Sequence, residues 1–309
     1  MSDNKMLSIV IPSYNEQDNI ERTFETIKEI LDQKEIPFEI IFVDDGSKDQ
    51  TYFRIVTLAQ KCPQAKGISF SRNFGKEAAI FAGLEVASGE CCVIMDCDLQ
   101  HPPIILPQMY RLWLEGYEVV EGIKSSRGKE NPLHTLCANT FYRLISKATG
   151  IDMAKASDFK LLDRKAVNAL LILPERAPFF RALSSWVGFK TTSLPFEVQE
   201  RTIGTSKWSV FSLFKYAVQN ITAFSGAPMQ FVTLMGWIMF VASIALGAHS
   251  LYQYFTGVAL EGFTTVILLQ LIIGSVLMIS LGIIGHYISR IYDEIKARPR
   301  YIISKRCGL

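Results

Sequence analysis

The last third of the sequence is short of charge. No Asp, Glu, Lys or Arg occurs in residues 216–260 or 262–289, and each segment contains a long apolar stretch. A helix needs about 20 apolar residues to cross the core of a bilayer, and helices of a soluble core rarely stay uncharged for so long. The missing charge therefore argues against two buried helices of a soluble domain and predicts two membrane spans, at 231–255 and 263–288.

The charges beside these spans predict their orientation. The link between them, 256–262, carries only Glu261, whereas both flanks are basic. The flanking cations are Arg201, Lys207 and Lys215 before the spans and Arg290, Lys296, Arg298, Arg300, Lys305 and Arg306 after them. Lys and Arg favour the cytoplasmic side, and the N-terminus has no signal peptide pattern. We therefore expect a multi-pass protein of the cell membrane, with the first 200 residues and both termini in the cytoplasm.

Two further absences narrow the function. The net charge is only +2, from 32 Lys and Arg against 30 Asp and Glu, so nothing in the charge indicates a nucleic-acid partner. The six cysteines show no paired spacing, which argues against a metal–thiolate site and fits reduced thiols in a reducing compartment.

The familiar glycine-rich phosphate motifs are also missing. No Gly-x-Gly-x-x-Gly follows an early strand. Gly75-Lys76 lacks the upstream Gly and the following Ser or Thr of a P-loop. A dinucleotide-binding fingerprint and a P-loop are therefore both excluded.

The first 200 residues do contain alternating apolar strands and amphipathic helices. Strands are predicted at 7–11, 38–43, 66–70 and 91–95, with helices at 20–31, through 55–59 and at 76–86. This alternation predicts an α/β fold with a mainly parallel sheet. Ligands of such sheets bind beyond the carboxyl ends of the strands, where the polar segments 12–16, 44–47, 71–75 and 96–100 lie.

One of these segments predicts a metal site. Asp96 and Asp98 follow an apolar strand and offer two carboxylates from alternate positions. Hard oxygen ligands suit Mg²⁺ or Mn²⁺, which would bridge to a diphosphate and offset its charge.

Six segments together resemble the motifs of one enzyme family. They are Ile9-Val-Ile-Pro-Ser-Tyr-Asn-Glu16, Val43-Asp-Asp-Gly-Ser-Lys-Asp49, Arg72-Asn-Phe-Gly-Lys-Glu77, Met95-Asp-Cys-Asp-Leu-Gln-His-Pro-Pro103, Asp158-Phe-Lys-Leu-Leu-Asp-Arg164 and Arg201-Thr-Ile-Gly-Thr-Ser-Lys207. In order and spacing they resemble the inverting glycosyltransferases with a GT-A fold. More narrowly, they are similar to the polyisoprenyl-phosphate group, which includes dolichol-phosphate mannose synthase and bactoprenol glucosyltransferase.

The resemblance and the charge pattern together give the expected domains. A cytosolic GT-A domain occupies 1–208, two transmembrane helices occupy 229–289, and a basic cytosolic tail occupies 290–309. Between the first two, residues 209–228 have an apolar side with Lys215 as the only charge. This pattern fits an interfacial helix on the membrane, or else a helix packed on the soluble domain.

The resemblance also implies roles for individual residues. Nucleotide-sugar contacts fall on Pro12, Tyr14, Glu16, Asp44, Asp45, Arg201 and Lys207, with Asp45 nearest the base or ribose. The metal and diphosphate shell falls on Asp96, Asp98 and Gln100. The acceptor phosphate falls on Lys124, Arg127 and Ser206. The family often has Gly-x-Arg where this chain reads Gly122-Ile-Lys124, and lysine lacks the bidentate fork of arginine.

The expected reaction is transfer of a sugar to a polyisoprenyl phosphate such as undecaprenyl phosphate, with inversion at the anomeric carbon. UDP-glucose is the preferred donor, with GDP-mannose and UDP-N-acetylglucosamine left open. Asp158 is the family's candidate base, although an acceptor phosphate with its second pKa near 6 is already anionic at pH 7. An orienting role for Asp158 therefore stays open. The expected partners are the two substrates, the bilayer and further copies of the chain in a homo-oligomer.

Two other functions compete with this one. A processive polysaccharide synthase would share the GT-A fold, but its usual Gln-x-x-Arg-Trp motif is missing between Asp158 and Phe231. A membrane scaffold or small transporter without catalysis would have no reason to keep acidic pairs at strand ends.

Overall fold

The computed structural model describes residues 5–124, 157–175, 178–197, 227–256 and 263–309. The chain divides into two compact units, one of Met1–Trp208 with Arg298–Leu309 and one of Ser209–Ala297. In the described residues, the strands all belong to the first unit, and the second unit contains two long helices.

The described residues of the first unit form an eight-stranded sheet. Its strands are β1 Leu7–Ser13, β2 Phe38–Asp44, β3 Ala65–Phe70, β4 Cys91–Ile94, β5 Val119–Lys124, β6 Lys160–Asp163, β7 Thr191–Phe196 and β8 Ile303–Cys307. The order is β7-β5-β6-β4-β1-β2-β3-β8, and the central strands β4, β1, β2 and β3 run parallel. β6 is antiparallel to β4 and β5, β7 is parallel to β5, and β8 is antiparallel to β3. The predicted α/β fold with a mainly parallel sheet is confirmed.

Helices connect and cover these strands. They are α1 Ile20–Asp32, α2 Thr51–Lys61, α3 Lys76–Val86, α4 Leu106–Leu114, α5 Arg164–Ile172 and α6 Phe180–Trp186. In α1, Ile20, Phe24, Ile27 and Leu31 are all buried, because their spacing of three and four places them on one face. The helices expected before residue 90 are all present.

The central strands place the polar segments at one edge of the sheet. β1, β2, β3 and β4 run in the same direction, and their apolar side chains are buried in the core. Ser13 lies beside Asp44 in the register, and Asp44 lies beside Ser69. The residues that follow these strands therefore converge, as expected for a ligand site of an α/β sheet.

Strand β8 was not anticipated from the sequence, which shows 290–309 only as a basic tail. It pairs with β3, and the Ser71 amide N donates to the Ile302 carbonyl oxygen at 3.0 Å. The Tyr301 ring stacks on Phe70 with centroids 5.1 Å apart. Gly67 allows this close pairing, because an added Cβ would lie 2.3 Å from Ile55 Cγ2 and 2.8 Å from Cys307 Sγ. The C-terminal residues thus complete the sheet of the first unit.

The second unit contains α7 Ala227–Phe255 and α8 Phe263–Ile295, which contact each other. Among the described residues, one segment, Ile272–Ile295, is long and apolar enough to cross a membrane, by length and composition. The apolar stretch of α7, Phe231–Leu246, is shorter. The two-span hairpin is therefore not confirmed and stays a prediction. The expected interfacial helix at 209–228 lies outside the described residues, except for its last two positions.

Candidate active site

The segments that follow β1 and β2 are joined by side-chain-to-backbone hydrogen bonds. Asn15 has a φ of 55°, and its amide N donates to Ser47 Oγ at 2.9 Å. Asn15 Oδ1 accepts in return from the Lys48 amide N at 2.9 Å, and the Glu16 amide N donates to Thr51 Oγ1 at 2.9 Å. Pro12 is half-buried in β1, whereas Tyr14 has 41% of its surface exposed. Of the nucleotide contacts expected in 12–16, Tyr14 is the most accessible to a ligand.

Asp44 and Asp45 are buried and already hydrogen-bonded within the protein. Asp44 accepts from the Ser47 amide N at 3.0 Å and from Ser69 Oγ at 2.6 Å. Asp45 accepts from the backbone N–H groups of Phe74 at 2.6 Å and Gly75 at 2.9 Å. Burial raises the pKa of Asp45, although these two N–H donors oppose it. Both carboxylates hold loops at the end of the sheet where the polar segments meet, and their contact with a nucleotide stays a prediction.

Lys76 brings together two acidic residues from distant parts of the chain. Its Nζ lies 2.6 Å from Asp96 Oδ1 and 3.2 Å from Asp158 Oδ2. Arg181, at the start of α6, binds Asp158 with two hydrogen bonds, from Nε to Oδ1 at 3.1 Å and from Nη2 to Oδ2 at 3.0 Å. Burial acts to raise the pKa of Asp158, but the charges of Lys76 and Arg181 outweigh it and hold that pKa well below its usual range.

Asp96 is also fixed through its backbone. Its amide N donates to His101 Nδ1 at 3.3 Å, and the His101 ring stacks on Phe159 with centroids 4.7 Å apart. Burial lowers the pKa of His101, which favours the neutral imidazole that an accepting Nδ1 requires. His101 therefore couples the turn after β4 to the residue that follows Asp158.

Asp98 and Gln100 lie in the same turn. Asp98 Oδ1 accepts from the Gln100 amide N at 3.1 Å, and Leu99 between them has a φ of 58°. Burial acts to raise the pKa of Asp96, but the Lys76 charge outweighs it and the pKa is lowered. The described residues contain no group of three or more His, Cys, Asp or Glu side chains arranged to hold a metal ion. Asp96 and Asp98 are the two carboxylates that this turn offers to a metal ion.

Glu77, Lys76 and Arg181 were not assigned roles from the sequence. Glu77 Oε2 accepts from the Phe180 amide N at 2.8 Å, at the start of α6. Burial and the nearby Asp158 charge raise the pKa of Glu77 to about 7. Lys76 and Glu77 lie in the Arg72–Glu77 motif, so the sequence did indicate that this segment belongs to the site. Arg181 had no comparable signal, since only the fold brings it to Asp158.

A buried ion pair between Lys160 and Glu121 supports the position of Arg181. Lys160 is 0% exposed, and its Nζ lies 2.5 Å from Glu121 Oε1 and 2.8 Å from Ser184 Oγ. The same Nζ donates to the Arg181 carbonyl oxygen at 3.5 Å. Burial lowers the pKa of Lys160, although Glu121 opposes this. Lys160 thus ties β6 and β5 to the turn of α6 that carries Arg181.

The residues expected to bind the acceptor phosphate are mostly outside this geometry. Lys124 is the last residue of β5, opposite Phe196 of β7. Arg127 and Ser206 lie outside the described residues, and so do Arg201 and Lys207, which were expected to contact the nucleotide-sugar. Their roles stay predictions. The described part of the site therefore comprises the acidic turn at 96–100, the Asp158–Arg181 pair and Lys76 between them.

Comparison with known proteins agrees with this architecture. Residues 8–171 match glycosyl transferase family 2. The chain is 40% identical over 305 residues to an uncharacterized glycosyltransferase of Synechocystis sp., covering 98% of this chain and 96% of that protein. It is 37% identical over 303 residues to an SfII prophage-derived bactoprenol glucosyl transferase of Shigella flexneri, covering 97% of each.

A solved structure has a similar fold. Glucosyl-3-phosphoglycerate synthase from Mycobacterium tuberculosis, in complex with Mg²⁺ and uridine diphosphate, superposes with a TM-score of 0.54 at 21% identity, over 72% of this chain and 80% of that one. At this identity the likeness shows the GT-A-like fold alone. The family match and the similarity to relatives over nearly their full length identify the activity as well. This chain is a glycosyltransferase that belongs to glycosyl transferase family 2.

Proposed function

We propose that this protein transfers glucose from UDP-glucose to a polyisoprenyl phosphate such as undecaprenyl phosphate, with inversion at the anomeric carbon. The observation that carries the proposal is the relationship to bactoprenol glucosyl transferase, which extends over 97% of both chains. The site supports it, because Lys76 and Arg181 place two cations on Asp158, at the end of the sheet where two anionic substrates would meet.

The residues at the end of β4 fit a divalent metal. Asp96 and Asp98 offer hard carboxylate oxygens, and Asp96 already lies against a cation, the Lys76 ammonium. We propose that these carboxylates, with Gln100, hold Mg²⁺ or Mn²⁺, which offsets the charge of the donor diphosphate. The mycobacterial synthase, solved with Mg²⁺ and uridine diphosphate, supports this choice. Two carboxylates leave most of the ligand shell of such an ion open, and oxygens of the donor diphosphate would complete it.

The proposed reaction has little need of a general base from the protein. The acceptor is a phosphate monoester with its second pKa near 6, so its oxygen is already an anion at pH 7. Asp158 is a poor proton acceptor, because Lys76 and Arg181 hold its pKa well below its usual range. We therefore propose that Asp158 orients these two cations. Arg181 then faces the acceptor phosphate, and Lys76 faces the leaving diphosphate.

The membrane assignment completes the proposal. The apolar segment Ile272–Ile295 supports membrane association, which a polyisoprenyl acceptor requires. We propose two spans, with both termini in the cytoplasm. Cysteines introduced at positions 3 and 309 should be protected from an impermeant thiol reagent in intact cells, and one at Val258 should be labelled. Labelling of either terminus would contradict this orientation.

The proposed function is tested by product analysis. Purified full-length protein in detergent is incubated with undecaprenyl phosphate and a panel of UDP- and GDP-sugars, and the lipid products are identified by mass spectrometry. We expect one hexose per lipid phosphate, formed with UDP-glucose. A polymeric product would favour a processive synthase instead. No lipid product with any donor would contradict the proposal.

A further inference from the structure

Lys76 occupies a position between two carboxylates that come from different parts of the sheet. It is the first residue of α3, directly after Gly75, whose φ is 100°. Asp96 follows β4 and Asp158 precedes β6, yet both reach the same ammonium group. The shorter of the two ion pairs, at 2.6 Å, is the one to Asp96. Lys76 therefore neutralises the carboxylate that the proposed function assigns to the metal.

The two carboxylates depend on Lys76 to different degrees. Asp158 also binds Arg181 through both of its oxygens, so it keeps a cation if Lys76 moves. Among the ion pairs in the described part of the chain, Lys76 is the one partner of Asp96. The Lys76 side chain is 40% exposed and sits on a flexible four-carbon stem, so it is able to leave without disturbing the core.

The Lys76 ammonium lies 2.6 Å from Asp96 Oδ1, so a metal ion on the same carboxylate would be repelled by a positive charge at short range. We propose that Lys76 is a built-in counter-cation of Asp96, which competes with the metal for this carboxylate and moves onto the donor diphosphate when metal and nucleotide-sugar bind. The inference rests on the proposed function for its metal and donor. It gives Lys76 two successive partners, both anionic.

This exchange couples donor binding to metal binding. Before the donor arrives, Lys76 competes with the metal and weakens its binding to Asp96. After the donor arrives, the diphosphate provides Lys76 with a new partner and the competition ends. The metal should therefore bind weakly alone and tightly with the donor, so that the site loads both together.

Replacing Lys76 should shift the two affinities in opposite directions. Lys76→Met removes the competing cation, so full-length protein in detergent should bind Mn²⁺ alone about tenfold more tightly, the value of a lost hydrogen bond to a charged group. The same variant lacks a cation for the diphosphate, so its affinity for UDP-glucose in saturating Mn²⁺ should fall by about tenfold or more. Mn²⁺ binding is measured from the free-ion electron paramagnetic resonance signal, and donor binding by calorimetry.

Matched variants separate the competing explanations. Lys28→Met removes the Lys28–Asp32 ion pair of 2.5 Å on α1 and should change neither affinity. Lys76→Gln provides a second neutral variant and should behave like Lys76→Met, which guards against misfolding of either. Unchanged Mn²⁺ affinity in both neutral variants would overturn the counter-cation role. Tighter Mn²⁺ binding with unchanged donor affinity would overturn the move onto the diphosphate. If wild-type protein bound UDP-glucose but bound no Mn²⁺ even in the presence of that donor, the proposed metal site would be refuted, whereas the proposed donor would still be supported.

Discussion

Replacing Lys160 by Met removes the cation of the buried pair beneath the site. Its Nζ is fully enclosed and contacts Glu121, Ser184 and the Arg181 carbonyl oxygen. Breaking a buried ion pair from one side costs about 3–5 kcal/mol, because the remaining charge stays buried without a partner. Glu121 is 13% exposed and has Ser185 Oγ at 3.5 Å, so water and this hydroxyl soften the loss. We therefore expect a loss near the lower limit, about 3 kcal/mol, in the free energy of unfolding.

Urea unfolding of the detergent-solubilised protein measures this loss. Tryptophan fluorescence is the signal, and three of the four tryptophans, Trp113, Trp186 and Trp208, belong to the first unit. The double variant Lys160→Met/Glu121→Gln removes both charges and should recover part of the stability. Arg54→Met, which removes the exposed pair with Glu21, serves as the control and should leave the midpoint unchanged. A loss below about 1 kcal/mol for Lys160→Met, or a double variant less stable than the single one, would refute the reasoning.

Three further predictions concern the site itself. Asp98→Asn should abolish most transfer without changing the melting temperature, because asparagine loses the charge but keeps an Oδ1 that accepts from the Gln100 amide N. EDTA should abolish transfer by the wild type until Mg²⁺ or Mn²⁺ is restored, and full activity in EDTA would refute the metal. Asp158→Asn should lose less than about 10²-fold in turnover, which is the lower limit for removal of a general base, and should still bind UDP-glucose in calorimetry. A larger loss of turnover at every pH would indicate that Asp158 is the general base. Glu77 has a pKa of about 7 in the folded state and about 4.5 when unfolded, so the folded protein holds the proton more tightly and wild-type stability should fall as pH rises between these values. In Glu77→Gln the melting temperature should fall less over the same pH range. An equal fall would contradict the burial of this carboxyl.

The central fold was predictable because its signals are local. The spacing of Ile20, Phe24, Ile27 and Leu31 describes a buried helix face by itself. The apolar run of β2, all of it buried, describes a strand covered on both sides. Strand β8 carried no such signal, because Ile303–Cys307 alternates weakly and contains Lys305 and Arg306. It forms only because an edge of β3 is available to pair with it.

The site was predictable in position but not in its connections. Asp96 and Asp98 could be placed at a strand end, since the apolar run before them ends there. The partners of Asp158 could not be predicted, because Lys76 and Arg181 lie 82 and 23 residues away along the chain. Asp44 and Asp45 illustrate the same limit. Their positions at the end of β2 were expected, but their internal hydrogen bonds depend on loops that only the fold brings close.

The fate of the donor's phosphates tests the central claim most directly. The protein is supplied with undecaprenyl phosphate and UDP-glucose labelled with carbon-13 at the anomeric position, and the products are examined by nuclear magnetic resonance. Direct attack by the lipid phosphate predicts free UDP and a labelled carbon joined to a single phosphate, with its configuration inverted from that of the donor. Release of UMP with a diphosphate-linked lipid, or a product of retained configuration, would contradict the account.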